Sequence, residues 1–150
     1  MGLDSLQVTG GHGITVTADL LLSQVRVDEA EMVVLPGGLG GVNAIQNSLT
    51  AQGLIQGAYD RGIWLAAICA APTILAGMGL LDRRSAVCYP GMEDEMGSAV
   101  VRKGTPVVED GHIITAEAAG SAFAFGLKLV EVLRGTDAAR EVRHAVHYHF

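Results

Sequence analysis

Only two cysteines, Cys69 and Cys88, occur in the 150 residues. They are too few for a disulfide framework or a four-thiolate zinc site, and their spacing is not that of a Cys-x-x-Cys motif. A reducing compartment, the cytoplasm, is the expected location. Basic residues are scarce as well. Ten lysines and arginines against sixteen acidic residues leave a formal charge of -6. That balance disfavours partners gripped through phosphates, so neither nucleic acid nor an anionic membrane surface is an expected partner. Charged residues of either sign make up only 17% of the chain, hydrophobic residues make up 49%, and the mean hydropathy is +0.35. This excludes a disordered chain and requires a packed interior; a length of 150 residues suits one domain. No basic segment followed by an apolar one opens the sequence, so no signal peptide is expected.

One charge-free run, Gly62 to Leu81, is long enough to cross a bilayer. Pro72 interrupts it, Gly77 and Gly79 weaken its end, and its composition changes from Ile-Trp-Leu to an alanine-rich stretch. A buried strand followed by a buried helix accounts for that change. Similar apolar bursts recur between glycine-rich turns and helical stretches, the alternation expected of an α/β domain with a mostly parallel sheet. Strands are expected at residues 7–8, 14–17, 31–35, 63–69, 86–89, 107–108 and 112–116, and helices at 48–60, 70–78 and 121–134. Pro106 and Glu109-Asp110-Gly111 predict a small antiparallel hairpin between Val100 and Ile114. Ser121 is a candidate cap for the last helix, and Gly135 its stop.

Two segments carry chemistry. In Ile63–Thr73 an apolar strand ends in Cys69, small residues follow and a helix begins. That junction lies at the carboxyl edge of an open sheet, where ligands bind. A thiol on such an elbow, near free helix N–H groups, gains reactivity. The competing reading is a buried cysteine that fills space beside Ala67 and Ala71. In Val33–Gly41 a strand runs into Pro-Gly-Gly-Leu-Gly-Gly. Backbone N–H groups there can form half of an oxyanion hole, with Ala70 N–H as the other half. Phosphate binding is disfavoured because no Gly-Lys-Ser/Thr follows; a flexible loop is the plain alternative.

These two segments, with Cys88–Glu95 and Ile113–Gly135, resemble the ThiJ/PfpI superfamily in the branch of the parkinsonism-associated deglycase, over about Leu6 to Arg134. The resemblance implies a flavodoxin-like three-layer sandwich, a single class I glutamine amidotransferase-like domain over residues 1–150, and a homodimer. Cys69 would be the nucleophilic, oxidisable residue, and Gly38 and Ala70 its oxyanion donors. Gly37, Tyr89 and Glu117 would line the pocket. The implied activity is cofactor-free conversion of methylglyoxal-type carbonyls to hydroxy acids, or removal of glycated adducts. A redox-sensing or chaperone-like role for Cys69 is the alternative.

Four departures stand out. Ala71 replaces a frequent glycine, Tyr89 a frequent histidine, and Glu117 a frequent basic residue. The family's first strand, a glutamate-bearing loop and a helix have no counterpart before Leu3, so an N-terminally incomplete domain is expected. Ala70 replaces the histidine of the protease branch, which counts against proteolysis. His144, His147 and His149 read as a solvated tail rather than a metal site, and His12 as a turn residue.

Overall fold

The structure is a computed structural model that describes residues 1–149. Its centre is a four-stranded sheet in the order β3 (Met32–Leu35), β4 (Trp64–Ile68), β8 (Ile113–Ala116), β7 (Val107–Asp110). The first three strands are parallel. β7 pairs antiparallel with β8 through a turn in which Gly111 takes φ +63°, which is the expected hairpin. Two smaller pairs flank this sheet: an antiparallel hairpin of β1 (Gln7–Thr9) and β2 (Thr15–Thr17), with His12 in its turn, and a parallel pair of β5 (Ser85–Ala86) and β6 (Val100–Val101).

β4 explains why its sequence shows no polar alternation. Leu65, Ala66 and Ala67 are all fully buried, because successive side chains point to opposite faces and both faces are covered. Leu65 and Ala67 join a core with Ile55 and Ala58 of α2 (Leu49–Asp60) and with Ile74 and Leu75 of α3 (Pro72–Gly77). Ala66 faces Phe125 of α4 (Ala122–Arg134), with Trp64, Leu129 and Val132 around it. Helices, sheet and helix thus form the three layers of a flavodoxin-like α/β sandwich. No helix is long and apolar enough to cross a membrane among the described residues.

Several boundaries differ from expectation for identifiable reasons. The strand expected over 86–89 shrinks to Ser85–Ala86, since the Val87 N–H donates to Thr115 Oγ1 (2.9 Å) and the Tyr89 N–H to the Cys69 carbonyl (2.8 Å) instead of to a ladder. Val100–Val101 pairs with that short strand and not with the hairpin. The segment after Gly38 forms a helix, α1 (Leu39–Gln46), although it contains Gly40 and Gly41. Burial of Val42 to 2% exposure outweighs a propensity cost of about 1 kcal/mol for each glycine. Ser121 occupies the N-cap position of α4 as expected, but its side chain makes no capping hydrogen bond; it ends a 3-10 turn and is itself buried. Gly135, at φ +90°, does end α4, but the chain continues at once into α5 (Thr136–Ala145), which packs on α4. The terminal histidines are solvated as expected, but the segment begins in a helix. His144 lies in its last turn, and His147 and His149 follow, exposed. No group of three metal-ligating side chains converges among the described residues.

Candidate functional site

Strand β4 delivers Cys69 to the carboxyl edge of the sheet, between its neighbours β3 and β8. The Cys69 N–H donates to the Ala116 carbonyl at 2.9 Å, and its carbonyl accepts from the Tyr89 N–H at 2.8 Å. Held on both sides, Cys69 adopts φ +67°, a left-handed conformation that costs a non-glycine residue about 1–3 kcal/mol and persists only where its surroundings impose it. This is the geometry of a nucleophile elbow. The helix beyond it is shorter than the sequence suggests. α3 starts at Pro72, three residues after the thiol, and Pro72 lacks an N–H of its own. Single backbone donors, more than a helix dipole, therefore surround Cys69.

Two residues that line the thiol's cavity, Gly38 and Ala70, carry backbone N–H groups with no acceptor among the described residues. Gly38 stands at φ +90° immediately before α1, a backbone state open to glycine and strained for other residues. Gly37 sits against the thiol itself. A Cβ placed on it would lie 2.6 Å from Cys69 Cβ, 3.0 Å from the Ile68 carbonyl oxygen and 3.1 Å from Cys69 Sγ. Only a glycine lets the β3 turn approach so closely.

The cavity over Cys69 measures about 500 Å³. Gly38, Ala70 and Tyr89 line it, as does Glu95, whereas Gly37, behind the thiol, and Glu117 do not. The Glu117 N–H donates to the Pro106 carbonyl, which places that residue on the β7 side of the sheet edge. Glu95 is the residue the sequence reasoning passed over. Consecutive turns, Met92 N–H to Tyr89 O at 3.1 Å and Glu95 N–H to Met92 O at 3.0 Å, coil the acidic segment so that Glu95 returns to the cavity. The signal was the Tyr-Pro-Gly turn ahead of three acidic residues. Cys88, one residue before Tyr89, is buried. Burial, followed by the nearby charges of Glu93 and Glu95, pushes its thiol up to about 11. Of the two cysteines, Cys69 lines this cavity and the buried Cys88 does not.

Comparison with known proteins agrees with this geometry. The DJ-1/PfpI family pattern matches residues 1–132. Protein dj-1beta of Drosophila melanogaster is 40% identical over 131 residues, 86% of this chain and 70% of that protein. DJ-1 homolog B of Arabidopsis thaliana is 34% identical over 87% of this chain, which spans only 30% of its length. The deglycase PfpI of Pyrococcus furiosus is 31% identical over 128 residues, 85% of this chain and 76% of that protein. Among solved structures, Drosophila melanogaster DJ-1beta superposes with a TM-score of 0.94 at 35% identity, covering 99% of this chain and 81% of that one. Oxidized Toxoplasma gondii DJ-1 gives 0.90 at 31%, covering 98% and 80%. With the three-layer fold, the cysteine elbow and a family match over most of its length, the chain belongs to the DJ-1/PfpI family.

Proposed function

We propose that this protein is a cysteine-dependent, cofactor-free enzyme acting on small reactive carbonyls of the methylglyoxal type, or on glycated adducts derived from them. The observation that carries the reading is the left-handed Cys69 at the mouth of a cavity, beside two backbone N–H groups with no acceptor of their own. The deglycase named above supports the substrate class. In the reaction, the Cys69 thiolate adds to the aldehyde carbon, and the carbonyl electron pair moves to oxygen, where the Gly38 and Ala70 N–H groups stabilise it. Protonation of that oxygen gives a hemithioacetal. Removal of its C1 proton and return of a proton to C2 convert it to a thioester of the hydroxy acid. Of the groups lining the cavity, the Tyr89 hydroxyl and the Glu95 carboxylate are the ones that exchange protons. Water then cleaves the thioester, releasing the hydroxy acid and the Cys69 thiol, so that aldehyde and water are the only reactants consumed. A homodimer and a cytoplasmic location belong to the same reading.

A second reading, in which Cys69 is oxidised reversibly as a redox sensor or in a chaperone-like protein, draws support from the oxidized Toxoplasma gondii relative. Turnover of methylglyoxal by the purified chain and by Cys69→Ser separates the two. The enzyme reading expects hydroxy-acid production by the wild type and background rates for the variant. No turnover by the wild type, together with peroxide-dependent oxidation of Cys69 that a thiol reductant reverses in intact-mass spectra, would establish the second. Equal turnover by both chains would exclude Cys69 as the nucleophile.

A further inference from the structure

The residues that form the Cys69 cavity are uncharged with one exception, Glu95. Its neighbours in the acidic run are occupied or turned elsewhere. The Glu93 carboxylate accepts the Gly91 N–H at 2.9 Å and pairs with Lys103 at 3.2 Å; Asp94 and Glu95 are both exposed, but only Glu95 lines the cavity, at its solvent side. Glu95 has neither a hydrogen bond nor an ion pair through its side chain among the described residues. No lysine or arginine lines the cavity to offset it. The bound electrophile therefore meets one uncompensated negative charge.

We infer that Glu95 makes this cavity a charge filter, which admits neutral or cationic carbonyl compounds and rejects carboxylated ones such as glyoxylate. The inference rests on the carbonyl reading proposed above for its substrates, and on geometry alone for its electrostatics. The field of this segment is felt deeper in the protein too, where Glu93 and Glu95 both help to hold the Cys88 thiol in its protonated form. A cavity of about 500 Å³ is roughly 10 Å across if taken as a sphere, so a carboxylate bound beside Cys69 would lie roughly 7 Å from Glu95. At an effective dielectric between that of water and that of a protein surface, this repulsion corresponds to roughly a fivefold to tenfold loss of binding or of reaction rate.

The test uses two alkylating reagents that differ in charge, neutral iodoacetamide and anionic iodoacetate, with Cys69 modification followed by peptide mass mapping. Their rate ratio cancels the intrinsic nucleophilicity of the thiol. Relative to wild type, Glu95→Gln should shift the ratio roughly fivefold to tenfold in favour of iodoacetate, and Glu95→Lys should shift it further. Glu141→Gln makes the same change in net charge at an exposed position on α5 and should leave the ratio unchanged. A ratio in Glu95→Gln within twofold of wild type, or an equal shift in Glu141→Gln, overturns the filter. In parallel, glyoxylate, which can add to the Cys69 thiol but has no second carbonyl to isomerise, should inhibit methylglyoxal turnover with a Ki roughly fivefold to tenfold lower in Glu95→Gln than in the wild type. Loss of a proton-transfer role of Glu95 lowers kcat and leaves the direction of that Ki shift unchanged. A shifted alkylation ratio without methylglyoxal turnover by the wild type keeps the filter and removes the carbonyl reading; turnover with an unshifted ratio does the reverse.

Discussion

Gly37 and Gly40 lie three residues apart, and replacing each by alanine should change stability in opposite directions. At Gly37 the new methyl group would meet Cys69 Cβ at 2.6 Å and the Ile68 carbonyl oxygen at 3.0 Å, whereas carbon atoms in comfortable contact stand about 3.5–4.0 Å apart. The turn must therefore retreat by about 1 Å from a strand whose position is fixed by burial on both faces. Overpacking of this kind costs about 1–3 kcal/mol. The reduced freedom of the unfolded chain returns about 0.4–1 kcal/mol, so Gly37→Ala should lose on the order of 1–2 kcal/mol. At Gly40, inside α1, an added Cβ finds nothing within 4 Å, and alanine should gain about 0.5–1 kcal/mol from helix propensity. Urea denaturation of the two variants should separate them by about 2 kcal/mol, with wild type between. The Gly37 variant should also alkylate more slowly at Cys69, since its methyl group sits 3.1 Å from Sγ before any relaxation. If Gly37→Ala matches or exceeds Gly40→Ala in stability and leaves Cys69 alkylation at the wild-type rate, the close approach of the β3 turn to the thiol is not as described.

Two further predictions concern the cysteines. Substoichiometric iodoacetamide at neutral pH should label Cys69 before Cys88, because Cys69 opens onto the cavity whereas Cys88 is 3% exposed and its thiol is held up near 11; equal labelling in peptide maps would refute this. Stability should also fall between about pH 9 and 11 by an amount that Cys88→Ala removes. There the unfolded chain releases the thiol proton that the folded chain retains, so the unfolded state binds fewer protons and gains with rising pH. Identical pH profiles of wild type and variant in denaturation experiments would show that Cys88 titrates normally in the folded protein.

Strands buried on both faces were legible because their sequences leave little choice. Ile63–Cys69 and His112–Ala116 are short apolar runs bounded by turn residues, and both appear, trimmed, as β4 and β8. The helix expected over 48–60 forms as α2, with Ser48 Oγ accepting the Ala51 N–H at 3.2 Å at its start. What stayed hidden depends on partners distant in sequence. α1 is rich in glycine and owes its helix to the burial of Val42 and to contacts of Ile45 with the core. α5 carries a short apolar stripe of Ala138, Ala139, Val142 and Ala145, but none of its residues is fully buried; other readable signs were Asp137 in its first turn, bonded to Arg140 at 3.0 Å, and Arg143 and His144 in its last. Within the site, Cys69, Gly38, Ala70 and Tyr89 share one cavity as the motifs suggested, because each follows a strand end or a tight turn. Glu95 lines the cavity where Glu117 was expected for a reason no local pattern contains: the coil of residues 89–95 brings the exposed Glu95 to the cavity rim, while the backbone bond to Pro106 holds Glu117 aside.

The shortage of large side chains around the thiol follows from the same geometry. A cysteine at φ +67° needs its flanking backbone fixed on both sides, and here the Ala116 carbonyl and the Tyr89 N–H do so at 2.9 and 2.8 Å. For β8 and the Tyr89 turn to come that close, the residues between them must be small. Ala66, Ala67, Ala70 and Ala71 are each buried to 3% exposure or less, and Gly37 closes the remaining flank. A larger residue at any of these positions would force the elbow apart and let Cys69 relax towards an ordinary helical or extended conformation, turning its side chain away from Gly38 and Ala70. The run Ala-Ala-Ile-Cys-Ala-Ala is thus a packing requirement of the strained thiol. The stability that offsets its strain comes from the layers above and below β4, where Leu65, Ile74, Leu75 and Ile114 are buried at 1% exposure or less.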